Sequence, residues 1–254
     1  MPLNHTSGTS RKNGRHIMSF VLVHGAGMGA SCWDRLVPRL TDRVVAVDLP
    51  GRGERADVDL RTVTLEDCAD AIVADVERED VTDIVLVAHS FAGVSVPRVL
   101  DRLQDRVRHV VFLAAVVPPD GTAVIDGIDP AVRDIVKASI VDGRYVQGPE
   151  GAQAMLCNDM DDEQTAWTLE QLVDDSGALL TEAVDLSGLR VDVPRTFIRT
   201  ARDVCYPPAL QEASSALVRA GAESGHVMDI DSGHMPMISA PDHLASLLDS
   251  LSAD

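Results

Sequence analysis

Residues 86–93, "LVAHSFAG", join a buried strand to a helix with almost no loop between them. The apolar run 84–88 predicts the strand, and residues 94–103 predict the helix. A strand that turns directly into a helix needs a sharp joint, and the small residues Ala88, Ala92 and Gly93 relieve the crowding there. The apex residue, Ser90, is then presented in the open at a helix N-terminus, where a serine can serve as a nucleophile.

Strands and helices alternate along most of the chain. Six apolar runs predict strands, at 19–24, 43–49, 83–89, 108–116, 194–200 and 226–231. Helical patterns accompany them at 32–40, 64–79, 94–103, 208–221 and 241–251. Apolar strands that alternate with helices indicate an α/β protein whose sheet of about six strands is mostly parallel and covered on both faces.

The alternation stops between residues 118 and 186, where the sequence offers helical stretches at 130–143 and 161–177 but no convincing strand. An insertion of this kind predicts a small helical cap over the sheet. The expected organisation is a flexible tail at 1–17, a core formed by 18–117 and 187–254, and a cap at 118–186.

Three chemically active side chains each follow a predicted strand. Ser90 follows the third strand, Asp203 the fifth and His234 the sixth. The carboxyl ends of parallel strands share one edge of the sheet, where ligands bind in open α/β folds. A hydroxyl, a carboxylate and an imidazole in this chain order predict a Ser-His-Asp triad.

Four segments carry a family resemblance: "FVLVHGAGMGASCWDRL", "AVDLPGRGE", "LVAHSFAGV" and "GHMPMISAPDHLASLL". Through them residues 18–254 resemble the α/β-hydrolase superfamily. More narrowly, the chain is similar to the small-cap branch of plant methyl-ester esterases, hydroxynitrile lyases and their bacterial relatives. The resemblance implies an α/β-hydrolase fold and ester hydrolysis through an acyl-enzyme, and we expect no cofactor and no metal.

Each triad residue has an expected role. Ser90 attacks the ester, His234 takes its proton and later protonates the leaving alkoxide, and Asp203 orients the imidazole. The resemblance places the oxyanion hole at the backbone N–H groups of Ala26 and Phe91. Gly233, just before the histidine, is expected to let its loop bring the ring over Ser90.

Other candidates for these roles are weaker. Asp229 and Asp231 belong to the sixth strand, and Asp231 is too close to His234 in sequence for triad geometry. "HGAGMG" lacks the lysine and the glycine spacing of phosphate-binding loops. The remaining candidate histidines are predicted to be structural or exposed: His24, His89, His226 and His243.

The chain departs from its relatives at informative positions. The turn carries Ala88 and Ala92 where the usual motif has glycines, and we expect slight widening to accommodate the two methyl groups. In the resembling lyases a threonine replaces Gly25 and a lysine follows the catalytic histidine, where this chain has Met235. Without that lysine a departing cyanide lacks a stabilising cation, so both positions favour an esterase.

Composition restricts the partners. The net charge of −18 argues against nucleic acid and anionic membranes. No run is long and apolar enough to span a bilayer, and no secretory signal is recognised. The four cysteines lack metal-site spacing, so reduced thiols in a cytoplasm are expected.

The partner is expected to be a small-molecule ester or related carbonyl compound. The oligomeric state is open, and a homodimer is compatible with the sequence.

Substrate choice is expected to come from the cap and the strand-end loops. Candidate lining residues are Trp33, Phe91, Met155, Trp167, Tyr206 and Met235. An apolar lining implies a small, largely apolar ester. Two other functions remain open: a biosynthetic tailoring enzyme (cyclase, eliminase or lyase) that uses the triad as acid and base, and a non-catalytic ligand receptor.

Overall fold

A computed structural model describes residues 11–12, 15–16, 18–220, 222 and 224–251. Its centre is a six-stranded parallel sheet, and all six strands occur where the sequence predicts them. In spatial order the strands are β11 (Gly225–Ile230), β10 (Arg195–Thr200), β6 (Val107–Leu113), β5 (Ile84–His89), β3 (Ser19–Val23) and β4 (Arg43–Val47).

Helices cover both faces of this sheet. The α-helices are α1 (Leu65–Arg78), α2 (Val96–Leu103), α3 (Pro130–Ala138), α4 (Pro149–Leu156), α5 (Asp162–Glu170), α6 (Ala178–Thr181), α7 (Pro208–Arg219), α8 (Pro236–Ser239) and α9 (Pro241–Leu251). Short 3-10 helices occur at Ala30–Trp33, Val37–Arg39, Gly53–Arg55, Ser90–Val94, Val124–Gly127 and Ser187–Arg190. Among the described residues, no helix is both long and apolar enough to cross a membrane.

Two apolar cores lie on opposite faces of the sheet because side chains alternate along each strand. On β5, Leu86 and Ala88 belong to one core, whereas Val85 and Val87 belong to the other. All four side chains are fully buried. The near-continuous apolar strands of the sequence therefore correspond to a sheet that is covered on both faces.

The strand order reverses beside β3. The chain runs from β3 outward to β4 and then returns across β3 to β5 and β6. Loops that leave β3 and β5 therefore diverge, and in open α/β sheets this divergence creates the ligand-binding crevice. Those two loops carry Gly25 and Ser90.

The predicted helix at 32–40 is instead two 3-10 helices, Ala30–Trp33 and Val37–Arg39. Pro38 lies inside the second, where it has no N–H to continue an α-helical ladder. The tail predicted at 1–17 lies mostly outside the described residues. Within it, β1 (Arg11–Lys12) pairs antiparallel with β2 (Arg15–His16).

The inserted segment contains helices α3 to α6 and also a small antiparallel sheet, which the sequence interpretation missed. The sheet consists of β7 (Ile140–Val141), β8 (Arg144–Tyr145) and β9 (Asp175–Ser176). Helix α3 ends at Ala138 rather than continuing to residue 143. The turn that follows is Asp142-Gly143, with φ of 49° and 74°, and this dipeptide is a strong hairpin signal.

Candidate active site

Ser90 sits at the joint between β5 and the following 3-10 helix, with φ of 52°. The Val116 N–H donates to the Ser90 carbonyl at 2.9 Å, which ties the joint to the segment that follows β6. The widening expected at Ala88 and Ala92 stays a prediction, and the joint is closely packed at Gly93. A Cβ there would lie 2.5 Å from the Val116 carbonyl oxygen. A glycine at position 93, one residue after its place in the usual motif, therefore suits this turn.

The structure brings the three predicted triad side chains into one hydrogen-bonded row. His234 Nδ1 lies 2.7 Å from Asp203 Oδ2, and His234 Nε2 lies 2.9 Å from Ser90 Oγ. Since an ionised carboxylate only accepts, Nδ1 carries the proton and Nε2 is free to accept from the Ser90 hydroxyl. Ser90 is 5% exposed, Asp203 is 4% exposed and His234 is 2% exposed, so the row is screened from bulk water.

Asp203 is held ionised by its surroundings. Burial on its own raises the pKa of this carboxyl, but hydrogen bonds from His234, the Tyr206 N–H and the Thr200 hydroxyl outweigh it and leave the pKa below its ordinary value. The Cys205 N–H also donates to Oδ1, at 2.9 Å. These donors fix the carboxylate where it orients the imidazole.

The competing aspartates face elsewhere. Asp229 pairs with Arg199 at 2.8 Å, and Asp231 pairs with Arg202 at 2.8 Å. Both carboxylates are mostly exposed, and His226 and His243 are exposed as well. The row Ser90–His234–Asp203 therefore has no rival among these candidates.

His24 and His89 are buried and hold the surrounding loops. His24 Nδ1–H donates to the Gly25 carbonyl at 2.8 Å, and its Nε2 accepts the Leu49 N–H at 3.2 Å. His89 Nε2–H donates to the His234 carbonyl at 2.9 Å. Burial lowers the pKa of His89 to about 3, and the pKa of His24 is also well below its usual value, so both rings are neutral.

The loop after β3 lies directly against the serine. A Cβ on Gly25 would be 2.7 Å from Ser90 Cβ and 3.2 Å from Ser90 Oγ. The side chains of the two oxyanion-hole candidates, Ala26 and Phe91, pack in one apolar cluster with Leu179 of the cap. Ala26, in the loop after β3, and Phe91, directly after Ser90, therefore lie close together.

The predicted lining residues have different environments. Trp33 and Met235 are almost fully buried, and Trp33 packs edge-on against His89 with ring centroids 6.1 Å apart. Trp167 is half-buried on α5 under Arg35, and Met155 on α4 is 48% exposed. Tyr206 hydrogen-bonds Ser214 across 2.7 Å. Their contact with substrate stays a prediction.

Sequence reasoning missed Arg52, Tyr145, Asp159 and Asp175. Tyr145 packs against Phe91 with ring centroids 6.3 Å apart, and the other three hold loops of the site. Arg52 belongs to the noted segment "DLPGRGE" and Tyr145 follows the Asp142-Gly143 turn, so both had a local signal. Nothing in the sequence distinguishes Asp159 and Asp175 from the other acidic residues of the cap.

The chain is similar to several known proteins. The family model described as "Alpha/beta hydrolase family" matches residues 20–247. A carbendazim hydrolyzing esterase from Nocardioides sp. is 33% identical over 128 residues, which is 49% of this chain and 53% of that protein. The putative methylesterase 14 of Arabidopsis thaliana is 27% identical over 251 residues, 91% of this chain and 71% of that one.

Solved structures show the same fold. An extracellular alpha/beta-hydrolase from a Paenibacillus species superimposes with a TM-score of 0.81 at 20% identity, covering 93% of this chain and all of that one. The chain therefore belongs to the α/β-hydrolase family. Within it, the chain falls in the branch that resembles the plant methylesterases.

Proposed function

We propose that this chain is a serine carboxylesterase that cleaves a small, largely apolar ester through an acyl-enzyme on Ser90. The observation that carries the proposal is the buried hydrogen-bonded row from Ser90 through His234 to Asp203. Relatives named as esterases and methylesterases support the same chemistry.

In the first half of the reaction the Ser90 oxygen attacks the ester carbonyl while His234 Nε2 takes its proton. The negative charge on the carbonyl oxygen is stabilised by the N–H groups of Ala26 and Phe91. The tetrahedral intermediate collapses when the imidazolium gives its proton to the leaving alkoxide, and the alcohol departs. Ser90 is left as an ester of the acyl group.

In the second half a water molecule attacks the acyl-enzyme, and His234 takes the water proton. Collapse of the second intermediate returns that proton to Ser90 and releases the carboxylic acid. His234 acts as the base in its neutral form, because a protonated imidazole has no lone pair left to accept a proton.

The site's surroundings favour an apolar substrate and an esterase over a lyase. The side chains of Ala26 and Phe91 pack in one apolar cluster with Leu179 and Val184. A threonine at position 25 would crowd the serine, since its Cβ would lie 2.7 Å from Ser90 Cβ and one of the two would have to move. Met235 also supplies no cation for a departing cyanide.

We further propose that the substrate is a small molecule taken up directly from solution, without nucleic acid or membrane as partner. A cytoplasmic location is proposed as well. All four cysteines are free thiols, and three of them are buried: Cys32, Cys68 and Cys157.

The test is a panel of p-nitrophenyl acetate, p-nitrophenyl butyrate and methyl esters beside mandelonitrile, with wild type and Ser90→Ala. We expect the wild type to hydrolyse small esters, to leave mandelonitrile intact and to lose activity in the variant. Faster cleavage of the cyanohydrin than of any ester would overturn the proposal. Failure of both substrate classes, with no labelling of Ser90 by a fluorophosphonate, would favour the tailoring enzyme or the receptor.

A further inference from the structure

Two buried carboxylates of the cap segment hold the two loops that the proposed reaction depends on. Asp175, on β9, accepts the Gly27 N–H at 2.5 Å. Asp159, between α4 and α5, accepts the Gly233 N–H at 2.6 Å. Gly27 follows the oxyanion candidate Ala26, and Gly233 precedes His234. Each carboxylate therefore fixes the backbone one residue away from a group that acts on the substrate.

Asp175 and Arg52 together hold the glycine loop. The other carboxylate oxygen of Asp175 pairs with Arg52, and both side chains are almost fully buried. Arg52 Nε in turn donates to the Met28 carbonyl at 2.6 Å, on the far side of Gly27. The Val173 N–H donates to the Gly27 carbonyl at 3.0 Å. The glycine loop is thus held on both its N–H and its carbonyl sides by the cap and by Arg52.

The contact at Asp159 is equally close. The side chain is 2% exposed, and Oδ2 also accepts the Ser232 hydroxyl at 3.2 Å. A Cβ on Gly233 would lie 2.5 Å from Asp159 Oδ1. The backbone of Gly233 is not in the left-handed region, so the glycine serves this close approach rather than a special turn. Hydrogen bonds to charged groups are stronger than those between neutral groups, which suits a fixed loop.

We propose that Asp159 and Asp175 are positioning residues, through which the cap sets the place of His234 and of the Ala26 N–H during catalysis. This inference rests on the proposed function. A cap that only covered the substrate would act on binding. A cap that positions these two groups acts on the chemical step, because small displacements of catalytic groups lower the rate steeply.

The test compares Asp159→Ala and Asp175→Ala with matched cap controls. Asp162→Ala removes an exposed carboxylate of the same segment, and Asp174→Ala removes the neighbour of Asp175 that pairs with Arg144. Activity is expressed per active site titrated with a fluorophosphonate. A variant that merely folds less well then has fewer titratable active sites but an unchanged kcat per site.

We expect each of the two alanine variants to lower per-site kcat by about 10- to 100-fold with KM within about threefold, since loss of a whole oxyanion donor costs about 100- to 1000-fold in another hydrolase. For Asp175→Ala, the inhibition constant of a trifluoromethyl ketone, whose adduct carries an oxyanion, should rise by the same factor. Asp159→Asn, which keeps an acceptor for the Gly233 N–H, should recover most of the rate. The control variants should match the wild type.

If Asp175→Ala does not fold, Asp175→Glu displaces the carboxylate by one methylene and should lower kcat in the same way. A per-site kcat within threefold of wild type, or a rise in KM alone, overturns the role of that carboxylate. The proposed function is judged separately, by wild-type hydrolysis and its loss in Ser90→Ala. If the wild type cleaves no ester, amide hydrogen exchange decides: faster exchange at Gly27 and Gly233 in the alanine variants supports the positioning role, and unchanged exchange overturns it.

Discussion

Ser90 occupies a backbone conformation that residues with a side chain rarely adopt. Its φ of 52° lies in the left-handed region, which costs a non-glycine residue about 1–2 kcal/mol. The hydrogen bond from Val116 and the burial of the joint keep it there. The strain aims the hydroxyl at His234, so stability is given up at the proposed nucleophile.

Two substitutions at Ser90 separate these effects. Ser90→Ala and Ser90→Gly should both abolish ester turnover, because neither carries a nucleophile. Ser90→Gly should be more stable than Ser90→Ala by about 1 kcal/mol, because glycine has no Cβ to crowd the left-handed backbone. Turnover and urea unfolding check the two statements. Ser90→Ala within tenfold of wild-type turnover, or a less stable Ser90→Gly, would contradict them.

His89 makes the stability depend on pH. Its folded-state pKa is about 3, whereas an unfolded histidine titrates near 6.5. Below pH 6.5 the unfolded chain therefore takes up a proton that the native state refuses, and stability falls as the pH falls toward 3. Between pH 6.5 and 5 this residue should account for a loss of about 2 kcal/mol.

The measurement is urea unfolding of wild type and His89→Gln at both pH values. The glutamine can still donate to the His234 carbonyl but does not titrate, so the variant should lose less stability on acidification. His24, also buried and neutral, remains to give a residual slope. An unchanged difference between the two pH values would show that His89 does not carry the effect.

At the scale of residues, the hydrogen-bonded row of Ser90, His234 and Asp203 is predictable because each member follows an apolar strand, and parallel strands end at one edge of the sheet. Asp159 and Asp175 are not predictable in this way. Which acidic residues of the cap turn inward depends on how the insertion packs on the loops, and no periodicity records that packing.

At the scale of elements, the sheet is predictable from the sequence because its strands are long apolar runs such as β5 and β6. The secondary structure of the cap is less predictable. Its strands are two residues long, too short to show an alternation, and only the Asp142-Gly143 turn marks the hairpin. Pro38 explains why the stretch after the glycine loop forms 3-10 turns instead of a longer helix.

The joint between β5 and α2 depends on close packing against Ala115 and Val116, which follow β6. Gly93→Ala would place a Cβ 2.5 Å from the Val116 carbonyl and 3.1 Å from Ala115 Cβ. Since backbone atoms must move to admit it, we expect a loss of about 1–3 kcal/mol and a lower kcat. Gly127→Ala is the matched control, because a Cβ there meets nothing within 4 Å. Equal unfolding midpoints for the two variants would contradict the packing argument.

At the scale of the whole molecule, the net charge of −18 is expected to act on a charged substrate before it reaches the proposed nucleophile Ser90. A strongly acidic protein repels anions at long range, and salt screens this repulsion. The charge therefore favours neutral esters over esters that carry a free carboxylate.

A matched pair of substrates tests this selectivity. We expect kcat/KM for p-nitrophenyl hemisuccinate to be lower than for p-nitrophenyl butyrate at 10 mM salt. The deficit should shrink by about twofold or more at 150 mM, where the Debye length has fallen to about 8 Å. The neutral ester serves as the control and should change little. A salt-independent ratio would place the discrimination in the pocket rather than in the field of the protein.

The most direct test of the whole account is mass spectrometry of the enzyme quenched during turnover of p-nitrophenyl butyrate. We predict that the wild type carries one butyryl group on the peptide that contains Ser90 and that Ser90→Ala carries none. In His234→Ala the acyl group should accumulate only as far as the variant still acylates Ser90. Ester turnover with no acyl group on Ser90, or with the acyl group on another residue, would contradict the account.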